Sequence, residues 1–209
     1  MTKIIRIIFV ALLFSPYSAH ASVYLGSKLG LSAIDYNQDL DADNDNESPL
    51  MISGIYGGFG IDIGWVSDTN QYRIFYTFEQ HDTETEVYSD DNSLMMKTTD
   101  DIALHLVSAE YIFLSQRHWS PYAGIHAGFH QRETIDSQSD FYSYASSGFT
   151  YGAQTGIVGR IGNHFTLDFG MRFSALRSTA KNKKEHSNDV LKITNNMLTF
   201  IYFGANYRF

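Results

Sequence analysis

The sequence has no cysteine, only 3 prolines, and no apolar run of the roughly 20 residues that a transmembrane helix needs. The first absence excludes disulfides, the usual staples of small exported chains. The last excludes a helical membrane protein. Positive charge is also scarce, with 15 Lys and Arg against 23 Asp and Glu. Such an acidic balance argues against nucleic acid as a partner. Aromatic residues and glycine are plentiful instead, with 14 Tyr, 15 Phe and 16 Gly.

The first 21 residues, MTKIIRIIFVALLFSPYSAHA, combine Lys3 and Arg6, an apolar run from Ile4 to Phe14, and the small-residue site Ala19-His20-Ala21. This is the arrangement of a cleaved secretory signal. Cleavage is expected after Ala21, leaving Ser22 first and removing two cations from an already acidic chain. Residues 22–209 then form one domain.

Strict alternation runs through that domain. FTLDFGMRF places Phe165, Leu167, Phe169, Met171 and Phe173 on one face and Thr166, Asp168, Gly170 and Arg172 on the other. Period two marks a two-faced β-strand. QYRIFYTFEQ, GIYGGFGIDIGW and PYAGIHAGFHQR behave in the same way. Eight such segments are expected near 22–34, 51–66, 71–82, 99–113, 121–132, 149–161, 165–174 and 190–209. The fourth is ambiguous in phase. Ile102, Leu104 and Leu106 alternate one way while Val107, Ala109, Tyr111 and Phe113 alternate the other, and a bulge would reconcile them.

Connections alternate in length. Long polar stretches fall near 35–50, 83–98, 133–148 and 175–189, while SDTN, LSQRHWS and GNH are short. The pattern predicts an all-β fold, an eight-stranded antiparallel transmembrane β-barrel with four long extracellular loops and short periplasmic turns. Lipid requires that a spanning sheet close on itself, with an apolar outside. A soluble barrel with an apolar pocket is the rival, but the polar face carries too many charges for one. It holds Lys28, Asp62, Arg73, Glu79, Glu110, Arg132, Arg160, Asp168, Arg172 and Arg208. Of these, Lys28, Asp62, Arg73, Glu79, Glu110, Arg160, Asp168 and Arg172 are expected to form an interior polar network. Glycines on the same face make room for it.

The chain finishes on IYFGANYRF, with Ile201, Phe203, Ala205, Tyr207 and Phe209 on one side of the last strand. This ending, with SVYLGSKLG, SAEYIF, SPYAGIHAGF and YGAQTGIVGRIGNHFTLDFGMRF, resembles the small eight-stranded outer-membrane barrels of Gram-negative bacteria, the opacity-type and OmpA/OmpX-like superfamily. The resemblance implies an outer-membrane location and no cofactor. It also implies that Ile201, Phe203, Ala205, Tyr207 and Phe209 act as the signal for the barrel-assembly machinery. The expected partners are outer-membrane lipid, lipopolysaccharide and a host or matrix ligand met by the loops of a monomer.

Candidate chemistry is sparse. Asp39, Asp41, Asp43, Asp45 and Glu47 supply oxygen ligands at a density that suits Ca²⁺, but Asn44 and Leu50 break the EF-hand pattern, so the reading is a solvated acidic loop, with weak divalent-cation binding shared with surface lipopolysaccharide as the alternative. His126 and His130 share a strand face but lie about 13 Å apart at strand rise, too far for one metal. His186-Ser187 lies in a loop, unlike the strand-borne H-x-S of lipid A deacylases. The expected function is therefore a non-enzymatic surface barrel in adhesion or envelope integrity. A narrow porin-like channel is the alternative, and a lipid A-modifying enzyme the second.

Overall fold

The structure, a computed structural model, describes residues 21–35, 50–53, 55–88, 94–136, 144–178 and 196–209. Its strands are β1 (Ala21–Asp35), β2 (Leu50–Ser53), β3 (Tyr56–Ser67), β4 (Tyr72–Tyr88), β5 (Leu94–Ile112), β6 (Trp119–Asp136), β7 (Tyr144–Ile161), β8 (Phe165–Ser178) and β9 (Asn196–Arg208). The second barrel strand is split into β2 and β3. Ser53 faces Thr85 and Gly58 faces His81, so four residues on one side meet three on the other and a bulge results.

All neighbours are antiparallel, and β1 pairs with both β3 and β9, which closes eight strands into a barrel. The β1–β9 seam runs from Tyr24 opposite Arg208 to Asp35 opposite Met197, and the Phe209 amide still donates to the Val23 carbonyl at 3.0 Å. No edge is left along the seam, as lipid demands.

Three short turns cap one end. Each contains one residue in the left-handed region, Asn70, Leu114 or Gly162. At the opposite end the ladders run further than the alternation suggests. Residues 83–88 and 94–98 pair as strand, and β6 and β7 pair out to Thr134 opposite Tyr144. Much of the two stretches expected as long loops is thus two projecting ribbons. Polar composition hid them, because above the membrane both faces of a hairpin are wet. Residues 1–20 of the expected signal segment 1–21, the acidic series 39–47 and most of 175–189 lie outside the described residues.

The fourth strand needs no bulge. Register is continuous from Tyr72 opposite Tyr111 to Val87 opposite Met96. Ile102, Leu104 and Leu106 therefore point into the lumen with Ser108 and Glu110, and all are buried. The apparent phase change is a change of lumen content along one face. Those three residues reach Ile34, Leu176 and Leu198 from the other side of the barrel and form an apolar plug.

Outside, an apolar belt surrounds the wall. On β8 it runs from Phe165 to Phe173. About nine residues at roughly 3.3 Å, tilted by ~40°, span roughly 23 Å, close to the hydrocarbon band of outer-membrane barrels. Leu29, Ile125, Phe129 and Phe209 are each more than 60% exposed, which is tolerable in lipid and costly in water. Above the belt the outward positions turn polar, and Asp82, Asp101 and Glu133 stand in one cross-strand row.

Inside, glycine is placed opposite bulk. Gly60 faces Glu79, and Gly124 faces Glu110. A methyl group added to Gly124 would lie 2.6 Å from Glu110 Cγ and 2.6 Å from the Ala109 carbonyl oxygen. Gly124→Ala is expected to cost about 1–3 kcal/mol by overpacking. Gly57→Ala, whose new methyl meets nothing within 4 Å, should leave the urea-unfolding midpoint nearly unchanged.

Candidate functional site

Among the described residues, the lumen is where many ionisable side chains converge away from water. Alternation aims them inward, and barrel closure brings together residues far apart in the chain. Arg73 on β4 donates from Nε to Glu110 Oε2 at 2.7 Å and from Nη1 to Asp168 Oδ2 at 2.8 Å. Arg172 on β8 pairs with Glu79 and donates from Nε to Gln154 Oε1 at 2.7 Å. Gln154 in turn donates to Glu110 Oε1 at 2.5 Å. Arg73, Glu110, Gln154, Arg172 and Glu79 thus form one continuous chain of contacts across the barrel.

Lys28 lies 2.8 Å from Asp62 Oδ2, off the hydrogen-bond axis, and Thr77 donates to Asp62 Oδ1 at 2.7 Å. Its ammonium also rests 4.9 Å from the Phe75 ring centre and 5.0 Å from that of Tyr202. Arg73 lies 5.1 Å over the Tyr122 ring, and the Tyr122 and Tyr202 hydroxyls share a 2.7 Å hydrogen bond. Cation–π contacts of this kind strengthen when desolvated. Arg172, Glu79, Tyr122 and Tyr202 are all at most 1% exposed, so side chains pack the middle of the lumen.

Seven of the eight residues expected in the interior network make these contacts. Arg160 stands apart, half-buried at the turn end, and its Nη2 has no partner. Arg208 reaches the rim instead, where it donates to Asn70 Oδ1 at 2.8 Å. Arg132 pairs with Asp100 near the hairpin end. Gln154, Tyr122, Tyr202 and Asn206 complete the lumen, although sequence reading did not single them out. Asn206 donates to Asp168 Oδ2 at 3.0 Å. The available signal was their inward phase beside glycine-rich neighbours.

The histidines are dispersed. His126 meets Ser174 at 3.0 Å and His130 meets Thr150 at 2.8 Å, each inside the lumen. The His126–Ser174 pair has the look of a nucleophile and base, but His126 Nδ1 has no orienting partner and both residues are buried from lipid and water. His105 faces outward and bonds Tyr76 at 2.6 Å. Among the described residues no three His, Asp or Glu side chains are grouped to hold a metal ion.

No protein-family model matches the sequence, and no curated protein matches it. Solved structures do match. Neisserial surface protein A aligns over 90% of this chain and 99% of its own, with TM-score 0.59 and 17% identity. The outer membrane protein AlkL, determined in lipid bilayers, aligns over 93% of both chains with TM-score 0.62 and 13% identity. The chain has the fold of the small outer-membrane β-barrels. Ail, the attachment invasion locus protein of Yersinia pestis, crystallised with a heparin analogue, covers 91% of this chain and 99% of its own at TM-score 0.52 and 14% identity. With this fold, the apolar belt is the lipid-facing wall and the polar contacts described above fill the lumen.

Arg73 holds two carboxylates at once. Arg73→Met should therefore cost about 3–5 kcal/mol, the scale for stranding a buried charge. Asp168→Asn leaves Arg73 its bonds to Glu110 and should cost clearly less. Urea unfolding of the two variants in lipid vesicles, read by heat-modifiable gel mobility, checks the order.

Proposed function

We propose that this is a sealed, non-enzymatic outer-membrane barrel that acts through its extracellular hairpins, in adhesion and envelope integrity. The carrying observation is the filled lumen. A residue chain of buried ion pairs crosses the middle, and an apolar plug closes the hairpin end. Conduction would require both layers to part. In this reading the turns face the periplasm and the ribbons formed by β4–β5 and β6–β7 project from the cell.

The hairpins offer a rigid surface, because they are strand-paired beyond the belt. The name of Ail describes attachment, and its heparin analogue is a polyanion. The present chain shares the scaffold, and its β4–β6 sector is acidic. Asp82, Asp101 and Glu133 stand side by side there, and like charges directly opposite repel one another and any sulfated ligand. A neutral or cationic partner suits this sector better.

We further propose that Ile201, Phe203, Ala205, Tyr207 and Phe209 direct the nascent chain to the barrel-assembly machinery. Tyr207 and Phe209 lie outward at the turn end, and Phe203 lies outward at mid-belt opposite Phe169.

The function test replaces residues 86–97 with a tight Asn-Gly turn between the paired Thr85 and Thr98, which shortens one ribbon and leaves the belt intact. Cells carrying the shortened barrel should lose adhesion or gain detergent sensitivity relative to wild type, at equal outer-membrane levels. Identical behaviour of both strains would reject the hairpin role. In planar bilayers the purified protein should show no unitary conductance, and regular openings would favour the channel alternative.

A further inference from the structure

At the turn end, two arginines face the same space. Arg160 enters the mouth from β7 and Arg208 from β9. Arg208 is anchored by its bond to Asn70 and lies 4.0 Å from Asp68. Arg160 has no acidic partner among the described residues, and its Nη2 is buried without a hydrogen-bond acceptor. In a chain of net charge −8, an unpaired guanidinium beside a second one is an unusual arrangement. A guanidinium is a fork of donors matched to phosphate or carboxylate oxygens, and it does not discharge by losing its proton.

Both arginines line a cavity of about 460 Å³. Its wall is mixed. Asn163 and His164 of the third turn lie on the polar side, where the His164 Nδ1–H donates to the Arg208 carbonyl at 2.9 Å. Phe165 and Phe209 line the same cavity and belong to the lipid-facing belt, 50% and 67% exposed. The space therefore runs from the cationic mouth across the rim to the membrane interface. A small inorganic anion would satisfy only the first part. An amphiphile with a phosphate next to its acyl chains satisfies both.

We propose that this cavity binds the phosphodiester headgroup of a glycerophospholipid in the inner leaflet, with Arg160 as its principal contact and Arg208 as the second. Its acyl chains lie against Phe165 and Phe209. Placement in the inner leaflet rests on the orientation proposed above. The binding chemistry does not, so a test on purified protein separates the two.

The test is calorimetric titration of the barrel, held in amphipol, with short-chain phosphatidylglycerol below its micelle concentration and, separately, with inorganic phosphate. Wild type should bind the lipid saturably at one site and more tightly than phosphate. Arg160→Gln should weaken lipid binding by at least roughly tenfold, the scale of one charge-assisted hydrogen bond. Arg160→Lys should weaken it less. Arg117→Gln removes an exposed arginine from the second turn at the same end and should leave binding unchanged. Unboiled gel mobility confirms that each variant is folded. Absence of saturable lipid binding by wild type would overturn the proposal. So would phosphate binding as tightly as lipid, or an equal loss in Arg117→Gln.

Discussion

A sheet of eight strands closed in lipid encloses a cylinder that its own side chains nearly fill. Every other feature of this protein follows from that narrowness. The backbone must close because lipid offers no hydrogen bonds, and closure at eight strands leaves little interior space for free water. A charged residue aimed inward must find its counter-charge inside. Glycine makes room opposite some of the bulky groups, as Gly60 does to Glu79 and Gly124 to Glu110. The interior is thus a packed core with the polarity of a surface.

That core is layered. Six aliphatic residues from β1, β5, β8 and β9 fill the hairpin end. The ion pairs and the tyrosine pair occupy the middle. Two smaller apolar groups, Tyr24 with Val66 and Phe75, and Ile112 with Tyr122 and Val158, lie toward the turns, followed by the arginine-lined mouth. The apolar layer explains why the charged layer can persist. It keeps water from the side on which the hairpins open, so the ion pairs act in a low dielectric where they are strong. In the proposed function, the same layers deny a route to ions and leave the projecting hairpins as the surface that a partner can reach.

Much of this architecture was legible in the sequence. Alternation alone assigns Phe165, Phe169 and Phe173 outward and Asp168 and Arg172 inward, because the side-chain period of a strand is two and lipid punishes the wrong face. Partners were not legible. Arg172 finds Glu79 across 93 positions and Arg73 finds Asp168 across 95, and these meetings depend on the stagger of strands around the barrel, which no local pattern encodes. Arg160 was indistinguishable from Arg172 by type and phase, yet it stands well beyond Gln154, the β7 partner of Arg172, and opposite Thr166, which puts it at the mouth. Inward Tyr122 and Tyr202 were masked by an aromatic's equal fitness for girdle and lumen. Strand β5 misled for a related reason, since Ile102, Leu104 and Leu106 are an apolar layer on the polar face and imitate a shift of register.

The absence of cysteine offers the most direct measurement of the sealed lumen. Ser108 lies on β5 beside Glu110, faces inward and is wholly buried. A single Ser108→Cys places the chain's only thiol in the middle layer, and Thr69→Cys places one on the exposed first turn. Both folded proteins are treated with a membrane-impermeant, water-soluble thiol reagent, and labelling is followed by mass. The sealed lumen predicts that the Ser108→Cys protein reacts at least roughly a hundredfold more slowly than Thr69→Cys and catches up only after unfolding, since opening of a stable core is rare. Comparable rates in the folded state would mean that water fills the barrel and that the interior is a channel.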